Sequence, residues 1–221
     1  VPVPKLSVRG EKGQARPAFT KTEVSAIQKQ LKSWYVGVEG YTGEMRLMLR
    51  DLVDILMLTG MRQGTESMNI EWKHIEWYVE KDVRYLRFWV SGKTGARWLI
   101  AKHECEEVLK RIQATHESIA DMTLDELLEL KLAQRVFRFK DGRKPFEMNK
   151  VFRRLLEDMN LVKGQAGTDR TLYSLRHTYA TQELLAGTDI HTLARQMGTS
   201  VVMLERHYSK LTATMAAEQL A

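Results

Sequence analysis

The sequence predicts an α+β fold, mainly α-helical, with a small antiparallel β-sheet or hairpin. Three observations carry this: apolar residues recur at helical spacing through most of the chain; one β-branched and aromatic run stands between residues 83 and 100; and 43% hydrophobic content over 221 residues suffices for a real core.

Residues Val1 to Pro17 hold prolines, glycines and charges with no apolar period, as an interdomain linker would. A start at Val1 without methionine suggests a fragment with an N-terminal part upstream. Thr20 and Glu23 form a capping box, and Val24, Ile27 and Leu31 then recur at helical spacing. Met45 to Leu58 is apolar on nearly every side apart from Arg46, Arg50, Asp51 and Asp54, the pattern of a central core helix. Gly60 suits the left-handed residue that closes such a helix, so a rigid element delivers Arg62 to a defined place.

Val83 to Val90 and Arg97 to Ile100 read as strands around Ser91-Gly-Lys-Thr-Gly95, a hairpin with Lys93 at its tip. Helices are expected over Cys105 to Ile112, over Leu124 to Leu132, and around Val151 to Met159 before the loop at 164–167. The last third reads as Leu175 to Leu185 with Gly187 as its stop, Ile190 to Met197, a turn at Gly198 to Ser200, and Val201 to Tyr208. One domain over 18–210 and an Ala-rich helical tail over 211–221 complete the reading.

Against 34 Lys and Arg stand 28 Asp and Glu, a net charge of +6 and a pI near 9.4, which favours a polyanionic partner. The single cysteine, Cys105, excludes an internal disulfide and a multi-Cys zinc cluster, and suits a buried thiol in a reducing compartment. No run approaches the roughly 18 apolar residues of a membrane span, and the N-terminus lacks the apolar region of a secretory signal, so a soluble intracellular protein with no membrane partner is expected.

Three segments carry the candidate chemistry. Thr59-Gly-Met-Arg62, with Glu66 and Trp72 beyond it, alone reads as a helix end and a surface arginine. Leu172-Tyr-Ser-Leu-Arg176-His-Thr alone reads as a helix with a surface salt bridge, and Gln196 to Tyr208 as a turn and a packed aromatic. Their joint occurrence in this order, with a glycine-flanked lysine between the first two, decides against the separate readings. Together they resemble the tyrosine recombinases, or phage integrases, from about Thr20 to Tyr208.

That resemblance implies the catalytic core of the family, with Tyr208 as nucleophile on a DNA phosphodiester, Arg62 and Arg176 around the phosphate, and Lys93 protonating the departing 5′ oxygen. A tyrosine hydroxyl with a pKa of about 10 is a poor nucleophile, so its site must stabilise charge developing on the phosphate. Two forked guanidiniums suit that need, and losing one such donor costs about 3 kcal/mol or more at the transition state. Attack would leave a 3′-phosphotyrosine and a free 5′ hydroxyl, a route that calls for no cofactor or metal. The sequence has no clustered carboxylate site and no GxxxxGK loop.

Two positions depart from the family pattern. Tyr173 stands where a histidine is common, and Thr199 where histidine or tryptophan is common. Either hydroxyl can donate a hydrogen bond and neither is a good base at neutral pH, so general-base help falls to His177, His207 or water. His177 is expected to pack beside Arg176 in support, His207 to be a neighbour of Tyr208, and Glu66 to orient Arg62 or its segment. Lys93 and Arg97 are the expected DNA contacts. The basic run Arg135, Arg138, Lys140, Arg143 and Lys144 could also meet phosphates, although charge runs are usually solvated faces.

The resemblance further implies a homo-tetramer on double-stranded attachment sites in a prokaryotic cytoplasm, accessory DNA-bending proteins, and use in integration or excision of a phage or mobile element. A catalytically silent DNA-binding protein on the same scaffold and a type IB topoisomerase-like relative are the alternatives.

Overall fold

The computed structural model describes residues 17–92, 95–164 and 167–207. Helix α1 (Lys21–Leu31) opens on the expected capping box: the Glu23 amide donates to Thr20 Oγ1 at 3.2 Å, and the Thr20 amide to Glu23 Oε2 at 2.8 Å. Helix α2 (Gly40–Thr59) starts earlier than its apolar pattern, because the Tyr-Thr-Gly-Glu turn ahead of Met45 has no periodic apolar face to announce it. Leu49, Leu52, Val53, Ile55 and Leu56 of α2 are all but inaccessible to solvent, so this helix is the axis of the core.

The sheet has three strands, β1 (Ile75–Glu80), β2 (Val83–Gly92) and β3 (Gly95–Ile100), antiparallel in that order. β1 adds a strand to the hairpin read from the sequence. Its turn is Lys81-Asp82, both left-handed at φ 49° and 63°, a backbone that Asn-Gly usually signals and that this pair conceals. Register Ile75 to Phe88 and Phe88 to Leu99 puts these residues, with Leu86 and Val90, on the core face.

Next come α3 (Cys105–Gln113), α4 (Glu117–Ala120), α5 (Leu124–Glu129), α6 (Met148–Asp158), α7 (Leu172–Leu185) and α8 (Ile190–Met197), and residues 201–207 are helical. α5 stops short of Leu132 because Lys131 turns left-handed, at φ 47°. α7 begins at Leu172, a turn ahead of the expected start, where Thr171 Oγ1 accepts the Tyr173 amide at 3.3 Å. Cys105 is fully buried, and burial pushes its thiol well above the usual range, which makes it an inert core group. No described helix is long and apolar enough to cross a membrane.

α2 packs against α1, α3, α6 and α7, and β3 against α8. Most of the buried apolar side chains form one cluster around α2. A second, small cluster joins Tyr179, Ala180 and Leu184 of α7, Leu193, Ala194 and Met197 of α8, and Leu204. The cleft described next lies along the seam between the two.

Candidate active site

Arg62 is placed by the stop of α2. Gly60 is left-handed at φ 65°, and a Cβ there would lie 2.3 Å from the Tyr179 ring, so only glycine lets the chain turn against α7. Beyond the turn, Glu66 accepts the Arg62 amide at 2.7 Å and Arg62 Nη1 at 2.6 Å. The Glu66 side chain has no solvent exposure, and its second arginine is Arg97 of β3, with Nη1 at 2.8 Å and Nη2 at 3.1 Å. Burial opposes its ionisation, but hydrogen bonds from Arg97 and Arg62 outweigh that and hold the carboxyl below the usual range.

Arg176 lies on α7 and is 4% exposed. Its Nη1 donates to the Gly60 carbonyl at 2.5 Å and its Nη2 to the Met197 carbonyl at 2.5 Å. Among the described residues no carboxylate pairs with it, and burial followed by the nearby Arg62 charge pushes its pKa down to about 10. It remains a cation at neutral pH. Arg62 and Arg97 thus share the carboxylate of Glu66, and the charge of Arg176 adds to theirs, so positive charge is in excess among the described residues of the site.

Arg62 and Arg176 line one small cleft with Tyr173, His177, Thr199 and His207. Six of the residues singled out from sequence therefore share a wall, although they come from three separate stretches of chain. The His177 ring stands edge-on to Tyr173 at 5.2 Å and to His207 at 5.7 Å, tying α7 to the helical residues 201–207. His177 is half-buried on the cleft wall rather than enclosed beside Arg176. Tyr173 is more exposed, at 38%. Two guanidiniums lining one cleft suit an oxyanion with two free oxygens.

Lys93 and Tyr208 lie outside the described residues. Their neighbours are placed, however: Gly92 ends β2 so close to the Arg62–Glu66 pair that a Cβ would lie 3.1 Å from Glu66 Oε1, and His207 lies on the cleft. Arg97 is turned inward, its side chain 14% exposed. In the basic run Arg135, Lys140, Arg143 and Lys144 are exposed, and Arg138 is less so. Arg143 pairs with Asp141 and lies over Tyr41, and Lys144 donates to Asn69.

Sequence reasoning missed the acceptors. The carbonyls of Gly60, Met197 and Gly198 receive the two cleft arginines, Gly198 taking Arg62 Nη2. Gln196 was missed as well: its side-chain amide donates to the Ile100 carbonyl at 2.6 Å and the Thr59 carbonyl at 3.2 Å, and its carbonyl oxygen accepts the Ile100 amide at 3.0 Å. The glycines were the available signal for the first group. For Gln196 there was none, since a polar residue on an amphipathic helix is ordinary.

A mostly helical body, a three-stranded antiparallel sheet beside it and a C-terminal helical wall make up the fold of tyrosine recombinase catalytic domains. Similar solved structures include the XerH site-specific recombinase bound to its difH substrate, at TM-score 0.61 and 18% identity over 90% of this chain and 52% of that one. The Tn1549 transposon integrase in complex with circular intermediate DNA gives TM-score 0.58 and 17% identity over 96% of this chain and 69% of that one. A lambda integrase dimer bound to a core site gives 0.56 and 17%, over 91% and 50%. The chain spans about half the length of XerH, and at these identities the likeness is one of fold. No family model matches the sequence, and no curated protein does.

Proposed function

We propose that this chain is the catalytic domain of a site-specific DNA recombinase of the tyrosine type, acting as a homo-tetramer on double-stranded attachment sites. The observation that carries the reading is the pair of arginines, Arg62 and Arg176, lining one cleft, with no carboxylate among the described residues in an ion pair with Arg176. Such a site is short of an anion, and a phosphodiester supplies one with two nonbridging oxygens in the plane that guanidinium forks prefer. The neighbours solved on DNA support a DNA partner.

In this reading the Tyr208 oxygen attacks phosphorus, the bond to the 5′ oxygen breaks, and the enzyme keeps a 3′-phosphotyrosine. Arg62 and Arg176 stabilise the charge that grows on the phosphate, in positions preset by carbonyls and by Glu66. The tyrosine proton leaves to His177, His207 or water, and Lys93 supplies the proton for the departing oxygen. Tyr173 and Thr199 donate hydrogen bonds to the phosphate. Rejoining is the same step reversed, with a different 5′ hydroxyl as nucleophile.

The test is covalent trapping on a nicked duplex carrying the element's attachment site, at low salt in EDTA, with a Tyr208→Phe control. A denaturant-resistant adduct that requires Tyr208 is expected. Failure of the full-length parent protein to form it, with DNA binding retained, would replace this reading with a catalytically silent DNA-binding protein on the same scaffold.

A further inference from the structure

The end of α8 gathers three arginines. The Gly198 and Thr199 amides close the helix on the Arg195 and Ala194 carbonyls, and three more carbonyls follow, those of Gln196, Met197 and Gly198. Each accepts one guanidinium: Gln196 from Arg97 Nε at 3.0 Å, Met197 from Arg176 Nη2 at 2.5 Å, and Gly198 from Arg62 Nη2. The negative end of the helix dipole favours the same cations. Two of the three reach the cleft, and the third, Arg97, does not line it.

We propose that Arg97 is a positioning residue for DNA cleavage, a role that rests on the strand-transfer reading above. Its fork covers both Glu66 oxygens, and each of those oxygens also takes one donor from Arg62: Nη1 on Oε1 and the amide on Oε2. Arg97 therefore sets the carboxylate that sets Arg62, while its Nε fixes the helix end whose next two carbonyls hold Arg176 and Arg62. The strand that bears it is β3, so the same side chain ties this edge of the sheet to the residues that hold both cleft arginines. Gly198 completes the arrangement. It is left-handed at φ 60°, and a Cβ there would lie 2.6 Å from Arg97 Cζ, so the guanidinium fills the space that a side chain would need.

A direct phosphate contact by Arg97 makes different predictions. Lysine would keep the charge for a phosphate but cannot span two carboxylate oxygens and a carbonyl at once. The experiment compares Arg97→Lys, Arg97→Gln, Glu66→Gln and the double variant Glu66→Gln/Arg97→Gln. It measures the single-turnover cleavage rate on saturating suicide duplex, DNA affinity against salt, and the melting temperature. Expected are rates lower by up to about 100-fold for both Arg97 variants, since a misplaced group can cost that much. DNA affinity and its salt slope should stay as in the wild type, and the double variant should be no slower than the slower single. If Arg97→Gln melts far below the wild type, Arg97→Lys, which keeps stem and charge, carries the comparison.

Near-normal cleavage by Arg97→Lys, with Arg97→Gln losing affinity and about one unit of salt slope, would assign a phosphate contact instead. Multiplying losses in the double variant would also overturn the proposal, because the two residues would then act separately. Absence of any adduct from the wild-type protein is a distinct failure, of the recombinase reading itself, and it removes this inference along with it.

Discussion

The body around α2 and the wall made by α7, α8 and residues 201–207 are held by different forces. The body buries dozens of apolar side chains in one cluster, whereas the wall has a cluster of only seven. α7 enters the body's apolar cluster through Leu172 and Leu175, whereas α8 is tied to the body largely by polar contacts: Arg62 and Arg97 reach carbonyls at its end, and Gln196 laces it to β3 and the end of α2. Apolar burial is non-directional and supplies stability, while hydrogen bonds fix angles and distances. The proposed strand-transfer site, with two guanidiniums held against one phosphate, would need the second kind of contact, and the cleft sits where that kind is concentrated.

The widest separation between the two regions should appear in core truncations. Leu52→Ala, at a side chain with no exposure, is expected near the upper end of the roughly 2–5 kcal/mol span for such changes, and Leu204→Ala near the lower end. Chemical denaturation measures both. Hydrogen exchange at 201–207 should accelerate only in Leu204→Ala, and equal costs for the two variants would mean that body and wall share one core after all.

Within the seam, Arg176→Lys is expected to slow cleavage by about 100-fold or more, near 3 kcal/mol, because lysine lacks the fork that meets two carbonyls and a phosphate. Single-turnover trapping reads this. A rate within threefold of the wild type would show that charge alone suffices at this position.

The body has its own titrating group, which does not line the cleft. His116 is 6% exposed, and burial, then the charges of Arg138 and Lys140, push its pKa down to about 4 from an ordinary value of 6.5. The unfolded chain therefore binds the extra proton first as pH falls. Stability is complete above about pH 6.5 and declines toward pH 4, by roughly 2–3 kcal/mol from this group. Melting curves of wild type and His116→Gln should converge in that window, and parallel pH profiles would show that His116 is not the group responsible.

Gly198→Ala should have the smallest cost in stability, about 1–2 kcal/mol for a left-handed residue with a Cβ. Its effect on cleavage should be larger than that cost implies, since the new methyl group displaces Arg97. A variant that loses stability and cleavage in step would weaken the distinction between wall and body.

Much of this layout was readable along the chain. Thr20-Glu23 announced α1, the apolar run announced α2, and Gly60 and Gly198 marked stops that the structure makes left-handed. β1 was not readable, because Lys81-Asp82 lacks the residues that usually betray such a turn. The order of the elements and the types of residue near the cleft follow from local spacing, which a single sequence carries. The inward turn of Arg97 and the pairing of three guanidiniums with three successive carbonyls do not. Those bonds join residues 99, 21 and 136 positions apart, and a backbone carbonyl has no identity in the sequence. By itself the sequence determined most of the segments that become helix and strand, and which arginines and histidines stand on or next to them. Only the tertiary structure decided which arginines face the cleft and which one stands behind them, because that choice depends on what the folded chain places within hydrogen-bond reach.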